Sequence, residues 1–398
     1  MDVSYSKFCA WFGGLFAMFA LFTLVNWLFL WNTDDHYAAA KQAEKHLVTD
    51  GLLGSIVHSV RKVKIPTYRV ARPDVVVVGT SRATVPRAYF FNRPFYNLAG
   101  GALNGVVRQK FDLQDIERTY FSVHRPSLLI VILDPWAYND RQERMLPGFS
   151  VARLLQPSGA VRVHPVYLPT YHALKGRIPV GELFRHAIGF SDGQKIDVVR
   201  LGFSAIQRNV GLLSDGSTFS FEIDSLEDRF AKSLENFRNA FGPVQRYTVD
   251  PALIDGLAET AHNFHTKGIK MVFILAPLST ELLEKIAGKS ALTAYLSNVR
   301  QAFARRLPYY FDMLEPARFS SGDCEFTDGT HGGEVTYLRM FLAINRLDST
   351  VFDGKFAAGR AASVIAENVG QTVTTESRVG RAYVKAFGKP SVPGCPGQ

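Results

Sequence analysis

Asp74 to Ala83 reads DVVVVGTSRA. Four consecutive valines carry no polar interruption, and such β-branched runs suit parallel strands covered on both faces. A core strand is predicted here, running directly into Gly79, Thr80, Ser81 and Arg82. A serine at the tip of such a strand, at the turn into a helix, has its hydroxyl raised at the sheet edge, where backbone N–H groups can point at a bound oxyanion. Capping the following helix is the competing role for the same hydroxyl. Serine is a weak nucleophile at its own pKa, so a catalytic role requires a general base elsewhere.

Working outward, apolar runs recur at 94–100 (PFYNLAG), 127–134 (SLLIVILD), 269–277 (IKMVFILAP) and 308–314 (PYYFDML). Helical stretches are predicted over Val106–Val123, Pro251–Lys267, Leu292–Arg306 and Glu334–Arg346. Strand alternating with helix implies an α/β fold with a central parallel sheet and helices on both faces. Sites in such sheets form at the carboxyl ends of the strands. Between about 140 and 248 the pattern breaks into Pro, Gly and aromatic residues with turn signals at GFSDGQK and LLSDGSTF, which reads as an insertion over the sheet, either a lid or an elaboration of the fold. Residues 351–398 read as a partly mobile C-terminal extension.

Upstream, Phe8 to Trp31 contains no charge, one Asn, and Trp11, Trp27 and Trp31 near its ends. About 24 helical residues reach about 36 Å, enough to cross a hydrocarbon core of about 30 Å. A cleaved signal peptide has a shorter apolar region followed by a small-x-small site; here Asn32, Thr33, Asp34 and Asp35 follow instead. Residues 1–35 are therefore predicted to be a single-pass anchor in the lipid bilayer, with 36–70 a stalk helix ended by Pro66 and 71–350 the main domain. The charge rule gives only a weak vote on orientation; the domain is placed outside the cytoplasm because the short head has nothing to fold.

A general base is available downstream in FTDGTHGGE, where Asp328 and His331 stand three apart in a polar loop before a helix. One imidazole nitrogen can take the Ser81 proton while the other donates to Asp328. Taken alone, Asp-x-x-His is more often a solvated turn. At these residues the chain resembles the SGNH, or GDSL-like, hydrolase superfamily: VVGTSRA resembles its first block, FYNLAGGA (95–102) its second and TDGTH its last. The resemblance implies a flavodoxin-like three-layer sandwich and a Ser81–His331–Asp328 triad. It also implies an oxyanion hole built from the backbone of Ser81 and of Gly101, with Gly100 as the neighbouring choice. The third block departs from the family, since its strand runs ILDPWAYND; Asn139 keeps the Asn-Asp dipeptide, and Asn104 is another candidate donor. A missing donor forfeits about 3 kcal/mol of transition-state stabilisation. Two roles fit Arg82: steering an anionic substrate, or a salt bridge at the helix start.

An anchor followed by such a domain is similar to the alginate O-acetylation and teichoic-acid D-alanine transfer proteins. That likeness implies serine-dependent acyl transfer or ester cleavage on a cell-envelope polysaccharide or related acceptor, with a cell-envelope glycan or acyl-carrying substrate as partner. It also implies a multispanning membrane O-acyltransferase as partner, and a periplasmic site on the cytoplasmic membrane. The irregular third block keeps open a catalytically idle scaffold that binds glycan or the acyltransferase. The net charge of +9 favours acidic partners, but scattered basic residues without an aromatic stacking motif argue against nucleic acid. No cofactor is expected: GGALNG lacks a dinucleotide fingerprint, and His262 and His265 have no supporting carboxylate or thiol cluster for a metal. Of three cysteines, Cys324 and Cys395 are the pair that would oxidise outside the membrane, closing a loop worth about 4 kcal/mol on chain-entropy grounds.

Overall fold

The computed structural model describes residues 2–57, 60–100, 110–138, 164–190, 196–208, 210–219, 231, 233, 235 and 248–388. Helix α1 (Asp2–Asn32) is followed by α2 (Ala39–Thr49), β1 (Leu52–Leu53), α3 (Val60–Ala71), β2 (Val75–Val78), β3 (Phe95–Asn97), α4 (Lys110–Ile116) and β4 (Leu128–Leu133). Next come α5 (Leu168–Leu174), α6 (Val180–Ala187), β5 (Arg200–Leu201), α7 (Phe203–Arg208), β6 (Gly211–Leu212) and β7 (Thr218–Phe219). The last elements are α8 (Pro251–His265), β8 (Lys270–Leu275), α9 (Thr280–Ala287), α10 (Ser290–Arg306), β9 (Tyr310–Asp312), α11 (Glu334–Leu347), α12 (Ala358–Glu367) and α13 (Arg378–Phe387).

The fold is α/β. Strands β3, β2, β4, β8 and β9 lie side by side in that order, every neighbouring pair parallel. All residues of β2 and β4 are buried, as their unbroken apolar sequences require. Side chains alternate across the sheet. Val76, Val78, Leu129 and Val131 share one core with Leu257 and Phe264 of α8 and Val299 of α10. Val75, Val77, Leu128 and Ile130 share the other with Leu338 and Phe341 of α11 and Val364 of α12. Helices thus cover both faces.

Several boundaries differ from expectation. Residues 36–70 are not one stalk helix but α2, β1 and α3, and Pro66 lies inside α3 rather than ending it. Proline leaves one helical carbonyl without its N–H partner, and tertiary anchors hold the helix across that gap. Lys64 Nζ donates to the carbonyls of Asn97 and Ala99 at 2.9 and 2.6 Å, and Tyr68 Oη donates to His124 O at 2.8 Å. The 140–248 segment is not confined to the main sheet: β5 and β6 flank β1, and β7 pairs with β6, in a second four-stranded sheet. Its β6–β7 hairpin reaches the main sheet, where Asp215 O accepts from Asn97 N–H at 2.8 Å and its carboxylate from Ala88 N–H at 2.7 Å. Within residues 351–388 the C-terminal extension is folded onto the domain: Phe352, Phe356, Val364 and Ile365 belong to the core, and Val379, Ala382 and Tyr383 to a smaller cluster. Residues 106–109 of the expected Val106–Val123 helix lie outside the described residues; α4 continues into a wider turn over Glu117–Phe121, closed by Ser122 N–H on Glu117 O at 2.9 Å.

Within α1, Tyr5–Asn32 is long and apolar enough to cross a membrane. Its end is fastened to the domain. Gly202 N–H donates to Thr33 O at 2.7 Å. The buried Asp35 carboxylate accepts from Ser55 Oγ (2.7 Å), Thr33 Oγ1 (3.0 Å) and the N–H groups of Ile56 (3.1 Å) and Phe203 (2.9 Å). Burial pushes the Asp35 pKa up despite these four donors. Cys324 is disulfide-bonded and Cys9 is free; Cys395, the expected partner of Cys324, lies outside the described residues.

Candidate functional site

Gly79 makes the turn out of β2. Its φ is 151°, and a Cβ there would come within 2.8 Å of Ile132 O and 2.6 Å of the Ala83 Cβ. Only glycine lets the chain leave the strand this close to β4. Ser81 then opens a short helical turn, Ser81–Thr84, with its side chain in an exposed position. At the start of such a turn the N–H groups lack intrahelical acceptors, which makes the Ser81 N–H a ready donor to an anion.

Across the same rim, Ser81 Oγ lies 2.8 Å from His331 Nε2, and His331 Nδ1 lies 2.8 Å from Asp328 Oδ2. The other carboxylate oxygen, Asp328 Oδ1, accepts from His331 N–H (2.8 Å), Thr330 N–H (2.7 Å) and Thr330 Oγ1 (2.9 Å). Burial works to raise the Asp328 pKa, but the hydrogen bond and charge of His331, with the Thr330 donors, outweigh it and hold the carboxyl well below its usual range. An ionised carboxylate only accepts. The imidazole proton therefore sits on Nδ1, and Nε2 is left to accept from the Ser81 hydroxyl.

The loop carrying these residues is held at both ends. Thr327 N–H donates to His331 O at 2.8 Å, Ser279 N–H to Gly329 O at 3.0 Å, and Gly333 N–H to Glu325 O at 2.7 Å. Behind it, Glu334 at the start of α11 forms a buried ion pair with Arg87 at 2.9 Å and accepts from Tyr89 Oη and Thr374. The loop is thereby tied to the segment that follows the Ser81 turn.

Arg82 departs from one of its two expected roles. Its side chain is only 1% exposed, so it does not face a substrate. Nη1 pairs with Asp134 Oδ1 at 2.9 Å, Nε donates to Thr330 O at 2.9 Å, Nη2 donates to Pro277 O, and the guanidinium lies 4.9 Å from the centre of the Trp136 ring. Thr80 Oγ1 donates to the second oxygen of Asp134, and Tyr337 Oη donates to Arg82 O. The salt bridge is the role realised: one guanidinium joins the tips of β2, β4 and β8 to the histidine loop. Asn97 is a second positioning residue that the motif reading passed over. Its Nδ2 donates to Ala83 O (2.9 Å) and Pro86 O (3.1 Å), and its Oδ1 accepts from Ala99 N–H (2.9 Å), locking the serine turn to the β3 loop.

Of the expected oxyanion donors, Gly101, Asn104 and Asn139 lie outside the described residues. Gly100 adopts a φ of 76°, and its N–H points at Gly79 O at 3.3 Å. His262 and His265 occupy exposed positions in the last turn of α8. No family model, curated protein or solved structure matches the chain.

Proposed function

We propose that this protein is a membrane-anchored serine enzyme that transfers or hydrolyses acyl groups on a cell-envelope polysaccharide or related acceptor. The carrying observation is the continuous hydrogen-bonded chain Ser81–His331–Asp328 at the carboxyl ends of a parallel sheet. In chain order the sheet reads second, first, third, fourth, fifth, which is the flavodoxin-like arrangement. That order and the three motif positions support the SGNH reading. The long apolar α1 and the disulfide at Cys324 support an anchor with the domain in an oxidising, extracytoplasmic compartment.

In this mechanism Ser81 Oγ attacks the acyl carbonyl as its proton passes to His331 Nε2, and Asp328 stabilises the imidazolium. The Ser81 N–H receives the developing oxyanion, with Gly101 as the second donor expected from the resemblance. The imidazolium then protonates the leaving oxygen, giving an ester of Ser81. His331 next deprotonates the second acceptor, which attacks that ester and restores the hydroxyl. Water as acceptor makes the site an esterase, and a sugar hydroxyl makes it a transferase.

Full-length protein in detergent should bind a fluorophosphonate probe and cleave an aryl acetate. Unchanged labelling in Ser81→Ala would remove this serine from the chemistry. An acceptor oligosaccharide that speeds release of the aryl leaving group and becomes acylated identifies a transferase.

A further inference from the structure

We infer that residues 164–190, including α5 and α6, form a second membrane-embedded element, a foot that lies against the domain-proximal half of α1 and presents an apolar face to the lipid. The inference goes beyond the catalytic proposal and requires only that α1 cross a bilayer.

Depth comes from α1. A span needs about 20 residues, and every 20-residue window within Phe8–Trp31 contains Phe19, Phe22, Thr23 and Asn26. These are the residues that meet the foot. Tyr167 stacks on Phe22 with ring centres 5.8 Å apart and lies 6.1 Å from Phe19, and its hydroxyl is 3.3 Å from Thr23 Oγ1. Asn26, the one strongly polar side chain of the run, is fully buried. Its Oδ1 accepts from Thr170 N–H at 3.1 Å and Thr170 Oγ1 at 2.9 Å, while Nδ2 donates to Phe22 O at 2.9 Å. An amide at hydrocarbon depth demands such partners, and the foot supplies them. At the other end, Asn32 Nδ2 donates to the carbonyls of His186 and Ala187 at 2.9 and 3.0 Å. The foot therefore runs from well inside the apolar span to its exit.

Its outer face is mainly apolar, with Arg185, ion-paired to Glu182, as the exposed charged side chain of α6. Leu174, Val180, Phe184, Ile188 and Phe190 are 83, 60, 53, 70 and 65% exposed. Val180 and Phe184 of α6 and Ile188, which caps it, recur every four residues along one side, while Leu183 and Ala187 on another side bury against Phe29. Leaving these large apolar side chains in water is unfavourable. Lipid removes that penalty, and the foot packs directly on α1, whose own exposed surface is apolar. The N–H groups of the turn between the helices are partnered, those of Lys175, Gly176 and Arg177 by the Tyr171, Ala173 and His172 carbonyls, which lowers the cost of placing it near a bilayer. Lys175 and Arg177 add positive charge suited to anionic headgroups.

The test uses the full chain in vesicles of phosphatidylethanolamine and phosphatidylglycerol, on a Cys9→Ala background. Nitroxide labels are placed at Phe184→Cys and Ile188→Cys, at Met18→Cys on α1, and at Ser363→Cys on α12. Power saturation should show the 184, 188 and 18 labels open to oxygen and shielded from a water-soluble nickel complex, with the reverse at 363. Nickel access at both 184 and 188 equal to that at 363 would overturn the foot while a shielded Met18 label preserves the anchor. Shielding of 184 and 188 from both relaxers would also overturn it, indicating a protein partner on this face. A nickel-accessible Met18 label would overturn foot and anchor together.

Discussion

Ser81 Oγ and His331 Nε2 stand 2.8 Å apart although 250 positions separate them in the chain. Two different loops deliver them, one at the tip of β2 and the other just before α11. In the proposed mechanism each side chain acts through the other, so their removal is expected to be non-additive. Ser81→Ala and His331→Ala should each lower aryl-acetate turnover by at least about a thousandfold, with the double variant little worse than either single. Initial rates of the three proteins check this, and multiplicative losses would contradict a shared step.

Asp328→Asn should lower kcat by about 10⁴-fold, because an amide no longer requires the proton to sit on His331 Nδ1. The same carboxylate carries a stability signature. Its folded pKa lies below the ordinary value of about 3.9, so the stability it contributes is present above about pH 4 and is lost as pH falls toward the folded value. Thermal melts of wild type and Asp328→Asn should converge on acidification below about pH 3. A gap that stays constant down to that pH would contradict the assignment.

Arg82→Met should cost about 3–5 kcal/mol of stability, since it leaves the Asp134 carboxylate buried and unpaired. Arg82→Lys is not a conservative change here, because the guanidinium uses all three nitrogens toward different partners. Urea unfolding midpoints should fall in both variants. An unchanged midpoint with a raised KM for anionic esters would instead restore substrate steering.

Lys64 is fully buried, and burial pushes its pKa down to about 7. The unfolded value is about 10.4, so between about pH 7 and pH 10 the unfolded chain holds a proton that the folded chain has lost, and stability rises with pH across that window. Lys64→Met should flatten the rise. Urea unfolding at both pH values checks it, and parallel pH trends in the two proteins would refute it.

What could be read in the sequence was whatever depends on local pattern. The runs VVVV and LLIVIL admit no exposed face, and β2 and β4 appear where those residues stand. The pairing of Ser81 with Asp328 and His331 followed from chemical complementarity once a strand tip and a downstream loop were identified. Arg82 was only half legible, because its partners Asp134, Pro277 and Thr330 come from three separate loops and no spacing announces them. The two-residue strands β1 and β5 carry no periodic signal of their own, and their pairing is fixed by tertiary context. Pro66 misled for a related reason: a proline stops an isolated helix, whereas α3 is held from outside by Lys64 and Tyr68.

Thr33 and Asp35 fasten the end of α1 to Gly202, Phe203, Ser55 and Ile56 of the domain. With α1 set in a bilayer, the joint works as a bracket and not as a tether. The height and tilt of Ser81 over the headgroups are then set by the geometry of that joint. On the proposed reading, a donor or acceptor would have to be handed over at that elevation, so the reach of Ser81 would be set where α1 meets the domain.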